Sequence, residues 1–386
     1  MIEEHNKGLG TDPRQRAWME VNPYAIEINT TNLKAKLDKN CSIMAVVKAD
    51  GYGHGAATVA SAAIRGGANS LGVATLQEGI ELRKVGFQCL ILILGNLINT
   101  QEYETCFDWD LMPTISNFDQ VALCEDLAKK YSKQYAVHIK VDTGMARLGC
   151  DYNQAQDLFE KINNSNYLLL KGVYSHLALA DEVLEEGDYS LTQDQKNKFI
   201  KLWKSFRVKN KECSFHLANS AGTIRDKTLH FDMVRLGLAI YGYNPINYLK
   251  EEFQLIPAMA IKARVTFIRN LPKGVGVSYG HQFITTRPSR LAVVSIGYAD
   301  GIARSLSGKI SVIYNDKFLP QIGSITMDQL LIDATDVNDL AVGSVVTLLG
   351  QDGTKSITPK DWSDLIGSIP WEVLCGFKRR LPRLEI

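Results

Sequence analysis

The fold class this sequence predicts is a (β/α)8 TIM barrel followed by a mainly β C-terminal domain, and three observations predict it. Eight short apolar runs alternate with amphipathic stretches of helical length between about residue 40 and residue 240. After Asn244-Pro245 the texture changes to Val- and Ile-rich runs broken by Gly, Pro, Asn and Asp. The 386 residues also exceed the roughly 250 at which single hydrophobic cores tend to stop growing, so two domains are expected. The division places the barrel at residues 24–250 and the β domain at 251–386, the latter joined by the N-terminal segment 14–23. Alternation alone does not close a barrel, so a doubly wound open sheet stays open at this level.

Taken in order, WMEVNPYAIEI alternates like a strand, and Pro23 marks it as an edge piece. The barrel runs are SIMAVVK (42–48), NSLGVAT (69–75), CLILILG (89–95), LMPTIS (111–116), YAVHIKV (135–141), LLLKGVY (168–174), CSFHLAN (213–219) and FDMVRLG (231–237). Between them lie stretches such as LQEGIELRKVG and NFDQVALCEDLAKKYS, apolar at three- and four-residue spacing as helices require. From Ile256 the runs IPAMAIKARVTFI, RLAVVSIGY, KISVIY, KFLPQIG, DQLLIDA and SVVTLLG read as strands, with little helical periodicity before Thr358.

Composition excludes several classes. Lys plus Arg number 43 against 42 for Asp plus Glu, a net charge of +1, which argues against a partner such as nucleic acid or an anionic membrane. Hydrophobic residues at 45% and charged residues at 22% match ordinary globular usage, so disorder is not expected. The N-terminal stretch lacks the apolar segment of a secretory signal, and the most apolar run, Cys89 to Leu97, is far below the roughly 20 residues that span a bilayer. Seven scattered cysteines with no C-x-x-C spacing fit reduced thiols and a cytoplasmic location.

In a parallel barrel the chemistry sits at the carboxyl ends of the strands. Those ends carry Lys48, Lys140 with Arg147 just beyond, His176, Asn219-Ser220, and Arg235 with Gly237, a convergent set biased toward positive charge. A lone strand-end lysine ordinarily emerges into solvent, but burial would lower its pKa and suit a Schiff-base nucleophile. The adjoining Gly51, Gly53 and Gly55 allow close backbone approach to a ligand, and Tyr52 offers a hydroxyl. NSAG (219–222) and RLGLAIYG (235–242) follow the seventh and eighth runs, where many barrels bind phosphate. There Ser220 would cap and donate, and Gly237 would let the backbone close in. His176 reads equally as a core residue or a functional one. His54, His216 and Cys213 read as structural, Asp142 reads as a loop-fixing carboxylate as readily as a catalyst, and no pair has metal-ligand spacing, so no metal is expected. A strand-end lysine and a phosphate loop together suggest a cofactor with both a phosphate and an aldehyde, for which pyridoxal 5'-phosphate is the candidate.

These residues resemble the alanine racemase family, the fold-type III pyridoxal phosphate enzymes, over essentially the full length. AVVKADGYGHG (45–55) is similar to that family's cofactor-lysine motif. KVDTGMARLG (140–149), YSHLA (174–178), LANSAG (217–222), VRLGLAIYG (234–242), VSYG (277–280), IGYADG (296–301), TMDQ (326–329) and CGFKRRLPR (375–383) follow in the family's order. The resemblance implies that Lys48 carries the cofactor and is one catalytic base, serving the D-isomer, with Tyr279 the other, serving the L-isomer. It implies that His176, linked to Arg235, tunes Tyr279, and that Arg235 contacts the cofactor's pyridine nitrogen. Arg147 would meet the phenolic oxygen and the substrate carboxylate, and Lys140, if carbamylated, would orient Arg147. Tyr52, Ser220, Gly237 and Leu238 look like phosphate ligands, with Asn219 beside them. The Met327 N–H would assist the substrate carboxylate and Tyr298 would narrow the entrance. By the same resemblance Tyr279, Tyr298 and Met327 act across a homodimer.

Three positions depart from the family pattern. Ala146 stands where Gly is commoner, a mild change if the local φ is negative. Thr326 replaces a frequent Cys, and Arg379 occupies a place where some members have a phosphate-contacting Tyr, so it is given no role. The activity the resemblance implies is interconversion of L- and D-alanine, supplying D-alanine for peptidoglycan. A serine or broad-specificity racemase, a fold-type III decarboxylase and a non-catalytic pyridoxal-phosphate-binding protein are the alternatives.

Overall fold

The computed structural model describes residues 12, 14–181, 190–246 and 254–386. The polar N-terminal stretch and the expected boundary at 250/251 lie outside the described residues. The chain divides into two compact units. One comprises Tyr24–Gly51 with Gly55–Ile256, and the other Met1–Pro23, Tyr52–His54 and Pro257–Ile386, each in its described part.

The N-terminal strand β1 (Ala17–Val21) belongs to the second unit. The first unit holds eight strands: β2 (Ser42–Val46), β3 (Ser70–Val73), β4 (Leu90–Ile93), β5 (Thr114–Ile115), β6 (Tyr135–Lys140), β7 (Leu168–Tyr174), β8 (Ser214–His216) and β9 (Met233–Leu236). All their pairings are parallel, in the orders β4-β3-β2-β9 and β5-β6-β7-β8. A parallel bridge between Leu92 and Met112 joins the two sheets on one side. On the other, Asp232 N–H donates to Phe215 O at 3.0 Å and Arg235 N–H to Ala218 O at 3.0 Å, closing the barrel. Helices return between strands, and several of their starts carry side-chain caps, Thr75 with Glu78 as a capping box, then Asn99, Asn117 and Ser190. The strands are buried nearly throughout, as parallel strands sheathed by helices must be.

In the second unit β10 (Met259–Leu271) is the spine, with Met259, Ile261, Ala263 and Val265 alternately buried. It is followed by β11 (Gly276–Val277), β12 (Phe283–Ile284), β13 (Ser289–Val294), β14 (Ser311–Tyr314), β15 (Lys317–Ile322), β16 (Leu330–Asp333), β17 (Val345–Asp352), β18 (Lys355–Ile357) and β19 (Arg383–Glu385). The order is β18-β17-β14-β15-β16-β13-β10-β1-β19, and a further β17–β10 pairing closes six of these strands into a ring. Strand β1 is not an edge piece as its Pro23 suggested. It pairs with β10 on one side and β19 on the other, because Pro23 lies past its end, in the first turn of helix Pro23–Lys34 where a missing N–H costs nothing. Helix Pro359–Ile366 starts at a Thr358 capping box with Asp361.

Candidate active site

Lys48 follows β2 and is half-buried at the mouth of the barrel wall, and among the described residues its amine makes no hydrogen bond or ion pair. The backbone beyond it turns left-handed: Ala49, Asp50, Gly51 and Tyr52 have φ of 52°, 53°, 60° and 50°. For a residue with a Cβ this conformation costs roughly 1–2 kcal/mol, so the turn must be held by its surroundings. Part of that hold is local: Gly51 N–H donates to Val47 O and Gly55 N–H to Asp50 O, each at 2.8 Å, and the Asp50 carboxylate accepts Ala56 N–H at 3.0 Å.

Arg235 on β9 is 3% exposed and has no carboxylate partner among the described residues. Its NH2 donates to Ser175 O (2.6 Å) and Leu217 O (3.0 Å), and its NH1 to His216 O (2.9 Å). The Nδ1 atoms of His216 and His176 lie 3.1 and 3.3 Å from NH1 and NH2. Its Nε makes no hydrogen bond among the described residues and remains a donor. Burial pushes the guanidinium down to about 10, against the opposing pull of Tyr174, whose ring lies 5.2 Å beneath it. The same burial, with Arg235 adding to it, holds His216 and His176 well below the ordinary imidazole range. His216, read from the sequence as structural, is therefore part of the arginine's support, stacked on Tyr174 at 4.9 Å.

Lys140 ends β6, 6% exposed, with its amine over the Tyr174 ring. Burial, joined by the charges of Arg235, Arg147 and Lys48, pushes it down to about 8 against a smaller pull from Asp142. Arg147 is exposed on the loop that a Val141–Cys150 bridge closes. Asp142 accepts Gly144 N–H (2.8 Å) and Met145 N–H (2.9 Å); burial opposes its ionisation, but the loop's backbone N–H groups outweigh it and lower its pKa. Asp142 is thus a loop-fixing carboxylate. Ala146 has φ 55°, so the condition under which its substitution for glycine would be mild is not met.

At the ends of β8 and β9, Asn219 caps helix Ser220–Arg225 by accepting Gly222 N–H at 2.9 Å. Ser220 does not cap, contrary to expectation. Its Oγ accepts Gly237 N–H at 2.9 Å and Ala239 N–H at 3.3 Å, tying the two loops together. Among the described residues the Ser220 and Leu238 amides make no hydrogen bond and stay available, whereas the Gly237 amide is engaged.

The second unit carries the other expected residues. Tyr52 is buried there, and burial pushes its phenol up. Tyr279 is 72% exposed; its carbonyl accepts Ser324 Oγ–H at 2.9 Å, and Ser278 Oγ–H returns to Ser324 O at 2.9 Å. Tyr298 and Met327 are 40% and 53% exposed and adjacent, because Tyr298 N–H donates to Thr326 O and Ala299 N–H to Met327 O, each at 3.0 Å. A Cβ at Gly297 would lie 2.2 Å from Thr326 O, so only glycine fits there. Buried Asp300 anchors this loop, accepting Gly297 N–H and pairing with Arg16 (2.6 Å) and Arg380 (3.0 Å).

The arrangement of unpaired cations, free amides and a buried guanidinium suits an anionic ligand bearing an aromatic nitrogen. Comparison with known proteins agrees. The N-terminal domain model of alanine racemase matches residues 21–245 and the C-terminal domain model matches residues 258–385. The alanine racemase of Prochlorococcus marinus is 59% identical over 375 residues, 97% of each chain, and that of a Nostoc species 45% identical over 96% of each. The crystal structure of alanine racemase from E. faecalis superposes with a TM-score of 0.87 at 32% identity, covering 96% of this chain and 98% of that one. The alanine racemase of Bartonella henselae with covalently bound pyridoxal phosphate gives 0.85 at 30% identity, covering 96% and 99%. With both of its domains matched in order and relatives alike over nearly its whole length, the chain belongs to the alanine racemase family.

Proposed function

We propose that this chain interconverts L- and D-alanine with pyridoxal 5'-phosphate, supplying D-alanine for peptidoglycan. The observation that carries the reading is Arg235: a buried guanidinium with no acidic partner among the described residues, held by three carbonyls and two imidazole nitrogens, with Nε left to donate. When bound, the cofactor would draw electrons from the substrate's α-carbon and acidify its proton. A guanidinium is effectively never deprotonated, so Arg235 would donate to the ring nitrogen of the bound cofactor without protonating it. That limits the electron sink and favours prompt return of the proton over transamination.

Lys48 holds the cofactor and exchanges the α-proton on one face, and Tyr279 of the partner subunit exchanges it on the other. A residue 72% exposed on its own chain is well suited to completing a second subunit's site. Tyrosine's ordinary pKa near 10 calls for a cationic or hydrogen-bonding neighbour, a role suited to neutral His176 held by the Arg235 guanidinium. The Ser220 and Leu238 amides, with Gly237 and Asn219 framing them and Tyr52 donating, receive the phosphate. Arg147 meets the substrate carboxylate, aided by the N–H of the partner subunit's Met327, and the partner subunit's Tyr298 narrows the entrance. With its amine lowered to about 8, Lys140 has a substantial neutral fraction near pH 8, the form that takes up carbon dioxide as a carbamate to orient Arg147. Seven free thiols support a reducing, cytoplasmic setting.

The test is purified protein with pyridoxal phosphate and L-alanine, wild type against Lys48→Ala and Tyr279→Phe. D-Alanine should form with wild type alone, and no D-alanine above the enzyme-free rate overturns the reading. Initial rates with L-serine and L-arginine set the substrate breadth, and carbon dioxide release would identify a decarboxylase.

A further inference from the structure

The first residue of the left-handed turn after Lys48 is held by a side chain from another element. Glu78, in the first turn of helix Leu76–Val85, accepts Ala49 N–H on Oε1 at 2.7 Å. Its Oε2 accepts Ala74 N–H at 2.7 Å and Thr75 N–H at 3.2 Å. One carboxylate thus clamps the residue after Lys48 to the strand end of β3, while its own N–H returns to Thr75 Oγ1 at 3.3 Å in the capping box. Three of the four left-handed residues beyond Lys48 carry a Cβ, at roughly 1–2 kcal/mol each, so this backbone would relax if released. Relaxation would begin at Ala49, and Lys48 would move with it.

We infer that Glu78 is a positioning residue for Lys48: its two carboxylate oxygens hold the strained turn that aims the lysine amine at the cofactor's site. The inference rests on the cofactor role proposed for Lys48. It separates Glu78 from an ordinary capping residue, because helix capping needs only the Thr75 contacts, whereas the Ala49 bond serves the lysine. A glutamine at 78 would keep one oxygen acceptor and lose the other, so a graded response is expected.

The experiment prepares cofactor-free protein as wild type, Glu78→Ala, Glu78→Gln and Thr75→Ala. Each is titrated with pyridoxal phosphate, its melting temperature is read, and kcat and KM for L-alanine are measured. Losing a charge-assisted bond that holds the lysine should weaken cofactor binding about tenfold in Glu78→Ala, with less weakening in Glu78→Gln. Turnover should fall at little change in KM. Thr75→Ala removes the other half of the cap, so it should lower the melting temperature while leaving cofactor affinity and kcat near wild type. If Glu78→Ala binds the cofactor like wild type, or Thr75→Ala weakens it equally, the inference fails. Should Glu78→Ala not fold, Glu78→Gln decides: wild-type affinity overturns the inference and a several-fold loss supports it. Wild type that binds cofactor but forms no D-alanine would fail the proposed activity alone, since the affinity series still reads the turn.

Discussion

Arg235 and His216 meet at 3.1 Å between NH1 and Nδ1. A guanidinium only donates, so Nδ1 of His216 accepts and its proton resides on Nε2. His216 is thereby held neutral, as is His176 at 3.3 Å from NH2. His138 packs edge-on against His216 at 5.3 Å, and burial with Arg235 pushes it down to about 3.

Three imidazoles held neutral make stability fall with acidity. Each has a folded pKa below its unfolded value near 6.5, so the unfolded chain binds more protons below that pH. Their contribution is fully present above pH 6.5 and is lost as pH falls toward the folded values, at up to about 1.4 kcal/mol per pH unit for each. Urea midpoints at pH 7.5 and 5.5 should therefore differ clearly. His138→Phe, which leaves the Arg235 bonds intact, should reduce the slope by about a third of the histidine share. Equal slopes in wild type and variant would contradict the neutral-histidine reading.

Replacing the guanidinium tests the carbonyl cradle. Arg235→Lys keeps a charge but cannot span Ser175 O, His216 O and Leu217 O together, and each unsatisfied buried acceptor costs about 1–3 kcal/mol. Urea unfolding should show a loss of several kcal/mol, on the order of 3. Racemisation should fall by about a hundredfold or more, from the lost donor to the cofactor. A variant as stable as wild type would show that the cradle tolerates a point charge.

The backbone strain at position 146 is separately measurable. Ala146 at φ 55° should be relieved by Ala146→Gly, offset in part by the greater freedom glycine has when unfolded. The net gain expected is up to about 1 kcal/mol in urea unfolding, with kcat unchanged or raised. A destabilised variant would show that the alanine methyl makes packing contacts worth more than the strain.

Much of this was legible because a barrel's chemistry lies at strand ends, and apolar runs mark those ends. Lys48, Lys140, His176 and Arg235 could be picked out that way. The support beneath them could not. His216 sits inside an apolar run like any core histidine, and only the alignment of β8 with β9 brings it to Arg235, 19 positions away. Glu78 reads as half of a Thr75 capping box, a local signal that hides its reach to Ala49 across 29 positions. Strand β1 reads as an edge because Pro23 stands two residues past its end, and the partner on its far side, β19, comes from the opposite end of the chain. The sign of φ at Ala146 depends on a loop that Asp142 folds through backbone amides, which side-chain identity does not report.

Subunit complementation tests whether the site is shared. Lys48 belongs to the barrel and Tyr279 to the β unit, where it is 72% exposed. Lys48→Ala and Tyr279→Phe homodimers should each be inactive. If the site is shared, a mixed dimer would pair the intact Lys48 of one chain with the intact Tyr279 of the other at one of its two sites, and leave the second site without either. If the two variants are unfolded, mixed in equal amounts and refolded with pyridoxal phosphate, about half the dimers are mixed and each has one working site. The expected activity is then about a quarter of wild type under the same treatment. Were both bases supplied by one chain, every site would lack one of them, and the mixture would be as inactive as its parents.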